Sequence, residues 1–198
     1  MVRHSPNLEE WEGCDLAPFL KANVCENVTI QNDAALAALG ESHYGSGRGH
    51  KIVAYLGVGT GVGGARVVDG TIDSTTWGFE PGHQILNWEG KKSLEQLVGG
   101  RSLQLKYKKD PHEIEQSVYR ELTPVLTTGI YNCILLWSPE VVVIGGSLMN
   151  EENGFSIDNI TSSLMDMPRI FPSLPEIRNS YLGDEAGLWG ACALTQNR

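Results

Sequence analysis

The sequence predicts an α/β fold on three observations. An apolar run, Ile52 Val53 Ala54 Tyr55 Leu56, enters a glycine-dense stretch, Gly57 to Gly64, and leaves as a second run, Ala65 Arg66 Val67 Val68; that is the pattern of two strands joined by a tight bend. Val141 Val142 Val143 Ile144 is short and wholly apolar, ends on Gly145 Gly146, and reads as a buried parallel strand. Between these two features lies a helical block from Ser93 to Trp137.

Bulk properties narrow the function classes. A chain of 198 residues that is 41% hydrophobic can bury a genuine core without staples. The net charge of -9, from 15 Lys plus Arg against 24 Asp plus Glu, argues against a broad nucleic-acid face. An anionic ligand can still bind through backbone N–H groups and helix N-termini. Cys14, Cys25, Cys133 and Cys192 are scattered and lack the paired spacing of a structural zinc site, so buried thiols in a reducing cytoplasm are expected. No long apolar segment follows Met1, and neither a signal peptide nor a membrane span is expected.

In chain order, residues 5 to 20 are rich in turn formers, and Leu16 to Ala22 is a short helix with Asp15 available as its cap. Val28 to Gln31 is a short strand, and Asn32 Asp33 lead into an alanine-rich helix stopped near Gly40 or Gly45. Glu41 to Lys51 is a loop or frayed helix end, with His43 and His50 solvated or capping. After the glycine hairpin, Asp69 Gly70 is a hairpin dipeptide followed by a third short strand. Gln84 to Trp88 is extended, Ser93 caps a helix over Leu94 to Leu97, Gly99 Gly100 break it, and Arg101 to Lys108 form another. A long helix runs from His112 to Trp137, kinked or divided by Pro124, with Thr127, Thr128 and Gly129 as a close-packed face. Ser138 Pro139 close it, a helix follows around Ile160 to Met165, and Glu176 to Arg178 is a possible strand. A small-residue helix from Ala186 to Leu194 ends the pattern.

Two places carry chemistry. The hairpin bend, with Thr60 among glycines, offers closely approachable backbone N–H groups suited to an oxyanion such as phosphate; a bulged turn would use the same glycines, and the loop alone does not separate the two. No Gly-Lys-Ser/Thr follows, so it is not the usual phosphate loop. Asp33 stands between a strand end and a helix start, where open α/β sheets place ligand groups. Its carboxylate could accept a proton from a hydroxyl, and Asn32 could hold neighbouring hydroxyls. Either residue could instead serve only as the helix cap.

Taken together, an ordered set of motifs resembles the ROK family, which comprises sugar kinases such as glucokinases and N-acetylmannosamine kinases together with sugar-responsive repressors. The set is Asn32 Asp33 Ala34 Ala35 with Gly40 Glu41, then Gly59 Thr60 Gly61 Val62 Gly63 Gly64, Glu80 Pro81 Gly82 His83 and Leu94 Glu95. It continues with Pro139 Glu140 before Ile144 Gly145 Gly146 and closes with Gly183 to Ala191. The resemblance implies an actin-like, ribonuclease H-like sugar kinase fold, with residues 1–50 as a remnant of the N-terminal lobe and 51–198 as the C-terminal ATPase-type lobe. It implies Asp33 as the general base toward a sugar hydroxyl and Asn32, Glu80, His83 and Glu95 as sugar contacts. Gly59, Thr60, Gly61 and Gly63 would lie by the ATP phosphates, and Gly145 with Gly146 by the nucleoside. ATP and Mg²⁺ are the implied cofactors, a hexose or N-acetylhexosamine the substrate, and a homodimer or a separate N-terminal-lobe chain the partner; no nucleic acid or membrane partner is expected.

Two departures accompany the resemblance. Family members commonly carry a three-cysteine zinc loop before the later glutamate, whereas Gln84 to Ser93 contains no cysteine, so no zinc site is expected and His83 is free to contact sugar or support a contact. The family's opening Asp-x-Gly-Gly-Thr motif is also missing. The expectation is a gene fragment or a chain completed by a partner, with weak or no kinase activity alone; a non-catalytic sugar-binding module or a subunit of a split kinase is the alternative.

Overall fold

The computed structural model describes residues 9–196, and the chain divides into two compact units, one ending at Asn32 and one beginning at Asp33. In the first, a 3-10 turn (Glu9–Trp11) precedes helix α1 (Leu16–Asn23). Asp15 stands at its N-cap position without a side-chain capping bond. The strand expected over Val28–Gln31 does not form, because none of the strands among the described residues pairs with it. Three β-favouring residues and a glutamine without a ladder partner remain irregular chain. The turn-rich reading of residues 5 to 8 lies outside the described residues.

The second unit is built on a five-stranded sheet. Strands β1 (Ile52–Val58) and β2 (Val62–Val68) form the expected antiparallel hairpin, with Ile52 opposite Val68 and Val58 opposite Val62. Its bend is shorter than the glycine run suggests: Gly57, Gly63 and Gly64 lie within the ladder, which leaves residues 59–61 as the loop. Asp69 and Gly70 take positive φ, 48° and 73°, as a type I′ turn requires, and lead into β3 (Thr71–Ile72). A 3-10 turn (Pro81–His83) and a small second sheet of β4 (Ile85–Asn87) and β5 (Lys92–Ser93) follow.

The helical block then holds α3 (Leu94–Val98), α4 (Gly100–Tyr107) and α5 (Gln116–Trp137). Ser93 forms a full capping box: its hydroxyl accepts from Gln96 N while its own N–H bonds the Gln96 side chain. α5 starts after a separate 3-10 turn (Pro111–Glu113) rather than at His112. Pro124 does not divide it. The carbonyl deprived of a partner is that of Arg120, and both residues lie on the exposed side, where water replaces the missing N–H. The opposite side buries Leu126, Ile130 and Ile134 fully or nearly so.

Strand β6 (Val141–Gly145) enters the sheet parallel to β1, with Val53 opposite Val141. Helix α6 (Ile157–Met165) leads to β7 (Glu176–Asn179), parallel to β6, which completes the order β3-β2-β1-β6-β7. Alternation along β1 feeds two cores. Ala54, Leu56 and Val58 pack with the buried faces of α3 to α6, while Val53 and Tyr55 face the other side. That other side is covered by α2 (Asp33–Tyr44) and α7 (Ala186–Gln196).

α2 runs past Gly40 and ends at Tyr44, before Gly45, the later of the two expected stops. A side chain at Gly40 would collide with the Ala186 carbonyl, and one at Gly190 with the Leu36 carbonyl. These glycines permit the two helix backbones to touch and do not act as stop signals. His43 and His50 are not free in solvent: His43 Nε2 bonds the Gly70 carbonyl at 2.8 Å, and His50 pairs with Glu176 at 3.5 Å. The expectation of buried thiols holds only for Cys133, since Cys14, Cys25 and Cys192 are exposed. Among the described residues no helix is long and apolar enough to cross a membrane.

Candidate active site

The bend of the β1–β2 hairpin opens onto a cavity of about 450 Å³. Its walls are Gly59 and Thr60 of the bend, Gly100, Arg101 and Gln104 of α4, the Asp110–His112 turn, and Ser147 with Leu148. Local bonding shapes the mouth. Gly59 N–H donates to Gly61 O at 2.9 Å, while the first amides of α4, Gly100 and Arg101, donate to Gly59 O and Thr60 O at 2.8 and 2.9 Å. The carbonyls of the bend are thereby turned into the α4 start.

Gly145 and Gly146 act on this cavity from behind. Gly146 has φ +99°, and a side chain there would collide with Val58 O. The turn therefore folds tightly over the end of β1, where Leu148 N–H reaches Val58 O at 3.0 Å. It carries Ser147 across to the bend: a Cβ at Gly59 would lie 3.3 Å from Ser147 Oγ. The bare backbone at Gly59 thus lies close against Ser147 at the wall of the cavity.

The expected acids and histidine gather around the first residue of β2. Glu95 Oε2 accepts the Val62 N–H at 2.8 Å, and a side chain at Gly61 would run into that carboxylate. On the other flank, a side chain at Gly82 would collide with Val62 O, and Pro81 and Gly82 are buried against the strand. Glu80 and His83 project from this turn, 65% and 68% exposed, and pair with each other at 3.2 Å. Asp33 begins α2, exposed, with Oδ1 accepting the Ala34 N–H at 2.8 Å. A Cβ at Gly63 would lie 3.4 Å from Ala34 Cβ, so the helix head bearing Asp33 adjoins the hairpin. Asn32, exposed, has its backbone N–H on Gln31 Oε1 at 2.9 Å and closes the first unit.

Two groups escaped the sequence reading. Glu41 is fully buried, yet its carboxylate accepts Ser46 N–H (2.7 Å), Ser180 Oγ–H (2.5 Å), Leu182 N–H (2.8 Å) and Tyr181 N–H (3.3 Å). It was legible only as part of the Gly40 Glu41 motif, because three of its four partners, on Ser180, Tyr181 and Leu182, lie far along the chain. Tyr55 lies under Gly145, whose Cβ would be 2.9 Å from the Tyr55 hydroxyl. Burial first, then the charges of Glu41, Asp33 and Asp184, push its phenol up to about 12, so it stays a protonated donor. Among the described residues no group of three or more His, Cys, Asp or Glu side chains is arranged to hold a metal.

The family model described as "ROK family" matches residues 1–198. An uncharacterized protein of Clostridium perfringens is 30% identical over 176 residues, which cover 78% of this chain and 59% of that protein. The chain thus spans less than two thirds of that relative. A glucokinase of Thermotoga maritima is 26% identical over 239 residues, covering all of this chain and 75% of the enzyme. Among solved structures, a ROK family glucokinase from Streptomyces griseus in complex with glucose and AMPPNP superposes with a TM-score of 0.79 at 23% identity, covering 99% of this chain and 76% of that one. That likeness shows the actin-like, ribonuclease H-like fold of the sugar kinases.

Proposed function

Because the chain belongs to the ROK family, we propose that it takes part in phosphoryl transfer from ATP to a hydroxyl of a hexose or N-acetylhexosamine. One observation carries the reading: the glycine bend fronts a cavity of about 450 Å³ and also adjoins, through Gly63 and Ala34, the helix head that bears Asp33. A phosphate donor and a hydroxyl acceptor are then served from the two sides of one hairpin.

The residues fit a nucleotide. The volume lies within the ~300–1,000 Å³ usual for small-molecule sites, and Gly59 brings bare backbone to its wall. Gly59, Thr60 and Gly61 would hold the phosphates and Ser147 the nucleoside side. ATP would supply the phosphoryl group, and Mg²⁺ would offset charge on its oxygens.

Within this site Asp33 takes the proton from the attacking hydroxyl. Asn32, Glu80 and His83 hold neighbouring hydroxyls, while Glu95 fixes the bend and offers its other oxygen to the sugar. Most of the barrier reduction comes from this positioning. A second reading, a sugar-binding module without transfer, is favoured by Asp33 Oδ1 being already engaged by the Ala34 N–H at the helix start.

A coupled assay over a panel of hexoses and N-acetylhexosamines, run beside calorimetry with sugar and with AMPPNP, tests the proposal. Turnover above ~1 s⁻¹ that falls ~10²–10⁴-fold in Asp33→Asn, with sugar affinity kept, supports the base. Sugar binding without turnover supports the module. Binding of neither sugar nor nucleotide overturns both.

A further inference from the structure

The Glu80–His83 turn presents its side chains to solvent, with Glu80 and His83 each about two-thirds exposed and bonded mainly to each other. Their own burial does little to fix them, and an exposed pair at 3.2 Å is weak. What holds the turn is the next residue. Gln84 Nε2 donates to Pro81 O at 2.8 Å and to Gly129 O of α5 at 3.2 Å. Gln84 Oε1 accepts from Asn132 Nδ2, also on α5, at 2.8 Å. Its main-chain carbonyl takes the Leu94 N–H at 2.9 Å, which joins the turn to the helix that carries Glu95.

We propose that the Gln84–Asn132 amide pair is a positioning clamp that sets the Glu80–His83 turn for sugar recognition. The proposal rests on the sugar-kinase reading above. The chemistry of the clamp is specific to an amide. Two carbonyls and one amide donor surround the Gln84 head, so the group must donate twice and accept once. A carboxylate at that position would face two carbonyl oxygens and be repelled. A thioether would leave both carbonyls and the Asn132 donor without their partner. Gly129 contributes by its size as well: a Cβ there would lie 2.5 Å from Leu94 Cδ2, so α5 lies close against α3, and Gln84 ties the turn to α5 through its side chain and to α3 through its main-chain carbonyl.

The clamp touches no wall of the cavity at Gly59 and Thr60, which separates its effect from nucleotide binding. The test uses the full chain with Gln84→Met, Gln84→Glu and Asn132→Leu, titrated with glucose, with N-acetylmannosamine and with AMPPNP. Hydrogen exchange at residues 80–83 is followed in parallel. Expected is about a 10-fold or larger loss of affinity for whichever sugar the parent binds, AMPPNP affinity within about twofold, and a Gln84→Met/Asn132→Leu double variant no weaker than the worse single. Unchanged sugar affinity, or sugar and AMPPNP affinities falling together, overturns the clamp. Should the parent chain bind neither sugar, the sugar-kinase reading fails on its own account. Exchange then decides the clamp: faster exchange at 80–83 in the variants supports it as a holder of the turn, and unchanged exchange overturns it.

Discussion

Glu95 and Glu41 are carboxylates whose work is done on backbone amides, a role that residue type alone does not announce. Glu95 was expected to touch sugar, and the structure adds the Val62 N–H bond that braces the bend. Glu95→Ala is therefore expected to weaken AMPPNP as well as sugar, each by about 1–3 kcal/mol, which paired calorimetric titrations will read. Glu41 receives three backbone N–H groups and the Ser180 hydroxyl at a fully buried site, and the three amides demand an acceptor. Glu41→Gln must turn an NH₂ toward at least one of them, so a loss of about 1–3 kcal/mol in urea unfolding is expected. The thiols divide in the same local way. Cys133 is buried, and burial pushes its thiol up to about 12 despite the Gln84 contact. A chromogenic disulfide at pH 8 should label Cys14, Cys25 and Cys192 and reach Cys133 only after denaturation.

At the scale of elements, the strands that bury both faces were the most legible. β1, β2 and β6 follow from apolar runs bounded by glycine, and their pairing follows from the hairpin and the parallel run. What could not be read was dependence on distant partners. Val28–Gln31 has strand chemistry and no ladder, Pro124 is harmless because its orphan carbonyl faces water, and Gly40 stood beside Gly45 as a candidate stop because the approach of α7 is invisible along the sequence. The α2–α7 crossing supplies a matched pair of tests. Gly190→Ala drives a methyl into the Leu36 backbone and should cost about 1–3 kcal/mol or more. Gly187→Ala, one turn earlier on the same helix with nothing within 4 Å of the new methyl, should stabilise by about 0.5–1 kcal/mol. Thermal melts of the two variants should move in opposite directions.

For the molecule as a whole, the α/β class and the glycine bend as the centre of the candidate site were legible in the sequence, because a glycine-dense hairpin and a wholly apolar strand have few uses in such folds. The detailed bonding was not, since it lies in main-chain groups common to every residue. Stability against alkali is a property of the entire chain. Burial first raises Cys133 from 9.0 and Tyr55 and Tyr119 from 10.0 to about 12 in the folded state. The unfolded chain sheds these protons first, so their contribution is whole below pH ~9 and drains away as pH climbs toward ~12. Urea midpoints measured from pH 8 to 11 should hold level and then drop; a midpoint still level at pH 11 contradicts the assignment. The placement of β1 has a further result in time. Its β2 neighbour arrives within a few residues, whereas Val53 meets Val141 only after the intervening helices. Closing the larger loop carries the greater entropic delay, so the nascent hairpin should exist as a template before its other edge is filled, and substitutions in β6 should slow completion of the sheet without disturbing its first two strands.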